Sequence, residues 1–134
     1  MTTQPKAAWT MTEVFDQLER EMNRHTERIA TAINAMDSDV LWTQAHGLFG
    51  FAGLITNWAQ YAPVTRSLTP DELQAWHTVR ELCVHVGKSL VRNINEMPAS
   101  MVDTSKCFLY LARLRTGAAI LLEVRRDWAL RHRG

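Results

Sequence analysis

From Phe15 to Met36 the apolar side chains recur at steps of three and four: Phe15, Leu18, Met22, Ile29, Ala32 and Met36, with His25 in the same seam. That spacing follows the turn of an α-helix and gathers all of them on one stripe. A helix with one apolar stripe must bury it. No stretch of useful length alternates polar and apolar residues in period two, so the covering element is another helix and not a sheet. The chain has 134 residues, 46% of them hydrophobic and 22% charged, which suits one ordinary core and leaves no room for a second. The expected fold is therefore all-α: a single domain, residues 1–134, built as a bundle of four long helices, with residues 1–9 a flexible N-terminal segment.

Punctuation places the helices. The first opens at Thr10, with Glu13 three residues on to complete a capping box. The second begins after Asp37 or Ser38 and runs to about Tyr61, stopping before Pro63. The third has Thr69 as cap, Pro70 at its first position and Glu72 closing the box, and it ends near Met97, before Pro98. The fourth starts near residues 103–105 and continues almost to the C-terminus.

Residues 40–65 contain no Asp, Glu, Lys or Arg, a length that would cross a bilayer. Thr43, Gln44, His46, Thr56, Asn57 and Gln60 spread along the stretch argue against contact with lipid. The better expectation is the central helix of the bundle, surrounded on most sides, where Gly47, Gly50 and Gly53 admit a neighbouring backbone. Those glycines have the wrong spacing for a dinucleotide fingerprint and no preceding strand. The start of the chain carries Glu13 and Asp16 where a signal peptide would need an apolar run, and a cytoplasmic location is expected.

The third helix divides cleanly on a wheel. Leu73, Trp76, Val79, Leu82, Cys83, Val86, Leu90 and Ile94 fall on one side, and Gln74, His77, Glu81, His85, Lys88, Arg92 and Asn95 on the other. With Leu111 and Leu121 of the last helix, Trp76, Cys83 and Leu90 are expected in the core. His77, Glu81 and His85 form a column at the centre of the polar face. Bundle metal sites draw Glu and Glu-x-x-His from several helices, and this chain has no Glu-x-x-His. A wet helix face explains the column better than a metal site, and no metal or cofactor is expected. Cys83 and Cys107 lie among apolar neighbours and read as reduced, buried thiols. Neither is paired by any signature to a base, no serine stands in a strained turn, and the carboxylates Asp16, Glu19, Glu21 and Glu27 interleave with Arg20, Arg24 and Arg28 as a mutually neutralised face. No catalytic centre is expected.

Charge placement carries the functional reading. Residues 106–134 hold seven basic groups against two acidic, a balance of +5, while residues 1–105 hold eight against twelve, a balance of −4. The excess is arginine, whose planar fork suits phosphate. Interaction with the carbonyl end of the last helix would also account for Arg125, Arg126, Arg131 and Arg133. The basic tint of the third helix's polar face favours phosphate, and the expected nucleic-acid contacts are Lys88, Arg92, Arg113, Arg125, Arg126, Arg131, His77 and His85.

The glycine-bearing AHGLFGFAGLITNWAQYA and the closing FLYLARLRTGAAILLEVRRDWALRHRG, in an all-helical chain of this size, resemble the small helical subunit of class 1 CRISPR effector complexes. That resemblance implies a non-catalytic component of an antiviral ribonucleoprotein. It would stack head to tail along a guide-RNA filament, support guide or target strand through basic residues and contact other subunits. Two other classes compete. One is a helical-bundle enzyme or metal carrier using His25, His46 and Glu21. The other is an interaction module of inhibitor or antitoxin type, anchored by exposed members of Trp9, Trp42, Trp58, Trp76 and Trp128.

Overall fold

A computed structural model describes residues 8–96 and 104–132. They form five α-helices: α1 (Met11–Ala35), α2 (Ser38–Ala59), α3 (Ala62–Ser67), α4 (Pro70–Glu96) and α5 (Thr104–Arg131). The described residues include no strand, and the fold is all-α. The four long helices run alternately up and down, each packed on its neighbours in the order α1, α2, α4, α5 and back to α1. The α1–α2 turn marks the upper end of the bundle and α3 the lower. Helix α3 is an addition to the four expected helices. Pro63 cannot continue the hydrogen-bond ladder of α2, but it fits the first turn of a new helix, which needs no N–H there.

The capping signals form as written. Thr10 and Glu13 bond reciprocally at 3.1 and 3.0 Å, and Thr69 and Glu72 at 3.1 and 2.9 Å. At the top of α1 the chain turns in two residues. Met36 takes a left-handed backbone (φ 53°), and its N–H and that of Asp37 return to the carbonyls of Ile33 and Ala32. The Asp37 carboxylate then accepts from Val40 N–H at 3.1 Å and opens α2. Met36 is thus a helix terminator, 56% exposed, and not the last member of the seam; the stripe ends where the helix does.

Trp76, Cys83, Leu90, Leu111 and Leu121 are all buried, together with Phe15, Leu18, Met22 and Ile29 of α1. The apolar side of α4 faces this core, and His77, Glu81, His85, Lys88, Arg92 and Asn95 face solvent. Helix α2 departs from expectation. Leu41, Ala45, Leu48, Phe51, Ala52 and Ile55 are buried, but Trp42, Thr43, His46, Gly50, Gly53 and Asn57 are exposed, so one full face is wet. A Cβ at Gly50 or Gly53 would meet nothing within 4 Å, and one at Gly47 would meet the His25 ring at 2.8 Å. The glycine that permits close backbone approach is Gly87 on α4. A Cβ there would lie 2.9 Å from the Ala45 carbonyl oxygen and 2.7 Å from the Phe49 ring.

Trp9 packs on Trp58 with ring centroids 5.0 Å apart, and its N–H donates to the Tyr61 hydroxyl at 3.3 Å. The rest of the expected flexible segment, residues 1–7, and the expected end of the third helix at Met97 lie outside the described residues, as does Arg133. No helix among the described residues is long and apolar enough to cross a membrane.

Candidate nucleic-acid interface

The arginines of α5 sort into two groups along its length. In the lower half, Arg125 donates to Asp16 at 2.7 Å and to Glu19 at 3.0 Å, which ties α5 to α1. Burial alone would lower the pKa of Arg125, but the hydrogen bonds from its guanidinium to Glu19 and Asp16 outweigh that and raise it. Arg131 pairs with Glu72 and ties α5 to α4, also donating to the Ser67 carbonyl at 3.3 Å. Asp16 and Glu19 were expected to be neutralised along their own helix; the structure instead turns them toward α5, and on α1 only Glu21 pairs as expected, with Arg24. The contacts of Arg125 and Arg131 join residues more than fifty positions apart, beyond any spacing rule.

The upper half differs. Arg113 of α5 donates to His85 Nε2 of α4 at 3.0 Å, so His85 serves as an acceptor. Asn93 on α4 meets Cys107 on α5 at 4.0 Å, which fixes the antiparallel register and places Lys88 and Arg92 beside the turns between Lys106 and Arg113. Lys88 and Arg92 are exposed. No carboxylate occurs in residues 82–95 or 106–122. Glu81 and Glu96 bracket the α4 stretch at its two ends, and between them a local surplus of one sign keeps its field in solvent, which is the condition for attracting polyanions. Lys88, Arg92 and Arg113 therefore share one basic edge, with His85 beside them as the acceptor for Arg113.

The other nominated residues lie elsewhere. His77 stands on the lower part of α4, 3.8 Å from Glu81 and 3.2 Å from Arg80. Arg126 is exposed on the outward face of α5. The His77–Glu81–His85 column does not converge, because His85 turns to Arg113. The residues of the metal reading also diverge: His25 Nδ1 lies 3.1 Å from Gln44 Oε1, His46 Nδ1 lies 3.0 Å from the Trp42 carbonyl, and Glu21 pairs with Arg24. Among the described residues no three of His, Cys, Asp and Glu gather as metal ligands. Cys83 is fully buried beside Met22, and burial pushes its thiol up to about 12, far from a reactive thiolate at neutral pH.

Of the tryptophans, Trp76 is wholly buried, Trp9, Trp58 and Trp128 are half-buried, and Trp42 is 43% exposed. Trp58 is held by a 2.7 Å bond from its Nε1–H to Gln17. Comparison of the chain with protein families, curated proteins and solved structures gave no match.

Proposed function

We propose that this chain is a non-catalytic helical subunit of a nucleic-acid–protein complex, contacting phosphates through the upper edge of the α4–α5 hairpin. The observation that carries the reading is the run of His85, Lys88, Arg92 and Arg113 along two register-matched helices with no carboxylate in residues 82–95 or 106–122. The edge lies on successive turns of two helices, so it offers charge at a spacing set by their register. Such a surface suits sequence-independent support of a strand. This is the role implied by the resemblance to the small subunit of class 1 CRISPR effector complexes, in which guide RNA or target strand and neighbouring subunits would be the partners and the cytoplasm the location. The lower arginines, Arg125 and Arg131, join helices in this reading and do not carry the nucleic acid.

Binding to single-stranded RNA and DNA, measured against salt concentration by anisotropy, tests it. Substituting Lys88→Glu and Arg92→Glu together should weaken binding on every sequence and flatten the salt slope by roughly one unit per lost contact. Arg20→Glu with Arg28→Glu, on the outer face of α1, should change neither. Equal binding by all three proteins, or none by the wild type even at low salt, would remove the reading. The alternative is then a protein-interaction module, which the exposure of Met36, Val40 and Trp42 around the α1–α2 turn favours.

A further inference from the structure

Helix α5 is apolar on two sides. One side enters the core through Leu111, Leu114, Leu121 and Val124. On the other, Phe108, Leu122 and Leu130 are 51, 54 and 59% exposed. Ala112, Arg115, Ala119 and Arg126 are exposed between them. Phe108, Ala112, Arg115, Ala119, Leu122, Arg126 and Ala129 follow one another at alternating steps of four and three, the spacing of a seam that receives a second helix. No helix among the described residues covers it, and a shallow groove of ≈ 620 Å³ runs along its lower half past Ala119, Leu122, Arg126 and Ala129. Large exposed apolar side chains aligned on one helix mark a contact surface.

The geometry points to a second copy of this chain as the occupant, packed antiparallel on α5 about a two-fold axis at Ala119. Self-complementarity singles out this arrangement. Residues equally far from Ala119 come level across such an axis. Phe108 comes level with Leu130 of the second copy, and Arg115 with Glu123 of the second copy, whose long side chains reach over the small Ala119 pair. Ala112 comes level with Arg126, whose stem can lie over the methyl while its charge stays in water.

Charge along the α4 side of the seam agrees. Its lower half is a groove lined by Asp71, Glu123 and Asp127, with Glu72 paired to Arg131, while its upper half carries Arg113 and no carboxylate in residues 106–122. A two-fold antiparallel pair sets like flanks side by side with their ends reversed, so the acidic half of each copy meets the basic half of the other. A parallel pair about an axis along the helices would instead set the α4 flank of each copy beside the α1 flank of the other, and gives no such match of ends. From Phe108 to Leu130 the seam is about 33 Å long at 1.5 Å per residue, and its alanines allow the axes to approach to the near end of the usual 8–10 Å. The contact is independent of the nucleic-acid reading, and it closes a pair where the CRISPR resemblance implies open head-to-tail stacking.

Sedimentation of the full chain over a concentration series, together with oxidative cross-linking, tests it. A reversible monomer–dimer equilibrium is expected. Ala119→Cys should cross-link to itself at the axis, and Ala112→Cys, which meets Arg126 of the second copy, should not; Cys83 and Cys107 are buried and stay silent. Arg115→Glu or Glu123→Arg alone should raise the dimer Kd roughly tenfold, since the axis repeats each exposed pair, and the double exchange should restore it. Circular dichroism melts of each variant separate lost association from lost folding. A strictly monomeric wild type, assemblies that grow past two, or equal cross-linking at positions 112 and 119 would overturn the proposal.

Discussion

Glu72 occupies the third position of α4, where its Oε1 accepts from the Thr69 N–H at 2.9 Å and its own N–H donates to the Thr69 hydroxyl at 3.1 Å. The same carboxylate receives both guanidinium nitrogens of Arg131. Burial by itself would raise the Glu72 pKa, but the bonds from Arg131 and Thr69 outweigh it and hold the group below its ordinary 4.5. A carboxyl depressed in the folded state adds stability above its unfolded pKa and loses it as pH falls through the folded value. The melting temperature should therefore fall as pH drops below about 4.5, and Glu72→Gln should lower it at pH 7 while flattening that acid limb. Parallel acid loss in wild type and variant would place the titration elsewhere. Thr69→Ala removes the partner hydroxyl and should cost about 1 kcal/mol in denaturant melts. The Thr69–Glu72 box was legible in sequence because it is local. Arg131 was not, since it lies 59 residues away and only the packing of α5 on α4 brings it there.

At the scale of the helix, Gly87, Gly50 and Gly53 look alike in sequence and differ in what surrounds them. Gly87→Ala would drive a methyl to 2.9 Å from the Ala45 carbonyl oxygen, a backbone atom that cannot swing aside, so α2 and α4 would have to separate along their tightest contact. A loss of roughly 1–3 kcal/mol is expected, the range for overpacking. Gly50→Ala and Gly53→Ala enter open space in a helix interior and should each add about 0.5–1 kcal/mol. Urea melts of the three variants check both signs, and a stabilised Gly87→Ala would mean that α2 and α4 are not packed as described. The seam of α1 and the two sides of α4 were readable because each has a single apolar stripe. Helix α2 misled because few of its residues are charged on any side, and exposed Gly50 and Gly53 look no more polar in sequence than Gly87, which is buried. Helix α5 hid its orientation for a related reason: leucines on both sides leave the core-facing side undetermined until α1 and α4 are in place.

For the molecule as a whole, the +5 of the last helix is not one surface. Its lower part is neutralised by Asp16, Glu19 and Glu72, so Arg125 and Arg131 act as ties from α5 to both neighbours, while Arg113 joins Lys88 and Arg92 at the upper edge and Arg115 and Arg126 face outward. Residue counts reveal the surplus of charge but not this division, because the ion pairs depend on which helix faces become adjacent. The division predicts that charge reversal separates stability from binding. Arg125→Glu would set a third carboxylate beside Asp16 and Glu19, losing one attraction and adding a repulsion of similar size, about 1 kcal/mol each for partly exposed groups. Its melting temperature should fall by several degrees at low salt and recover partly at high salt, where the repulsion is screened. Lys88 and Arg92 make no ion pair among the described residues, and Lys88→Glu with Arg92→Glu relieves a stretch of like charge, so its melting temperature should match or exceed the wild type while nucleic-acid binding declines. Differential scanning calorimetry at two salt concentrations, run on the same samples as the binding titrations, reads both effects. A Lys88–Arg92 variant that melts early would mean that the upper edge holds the bundle together, and an Arg125 variant of unchanged stability that binds poorly would move the contact surface to the lower half of α5.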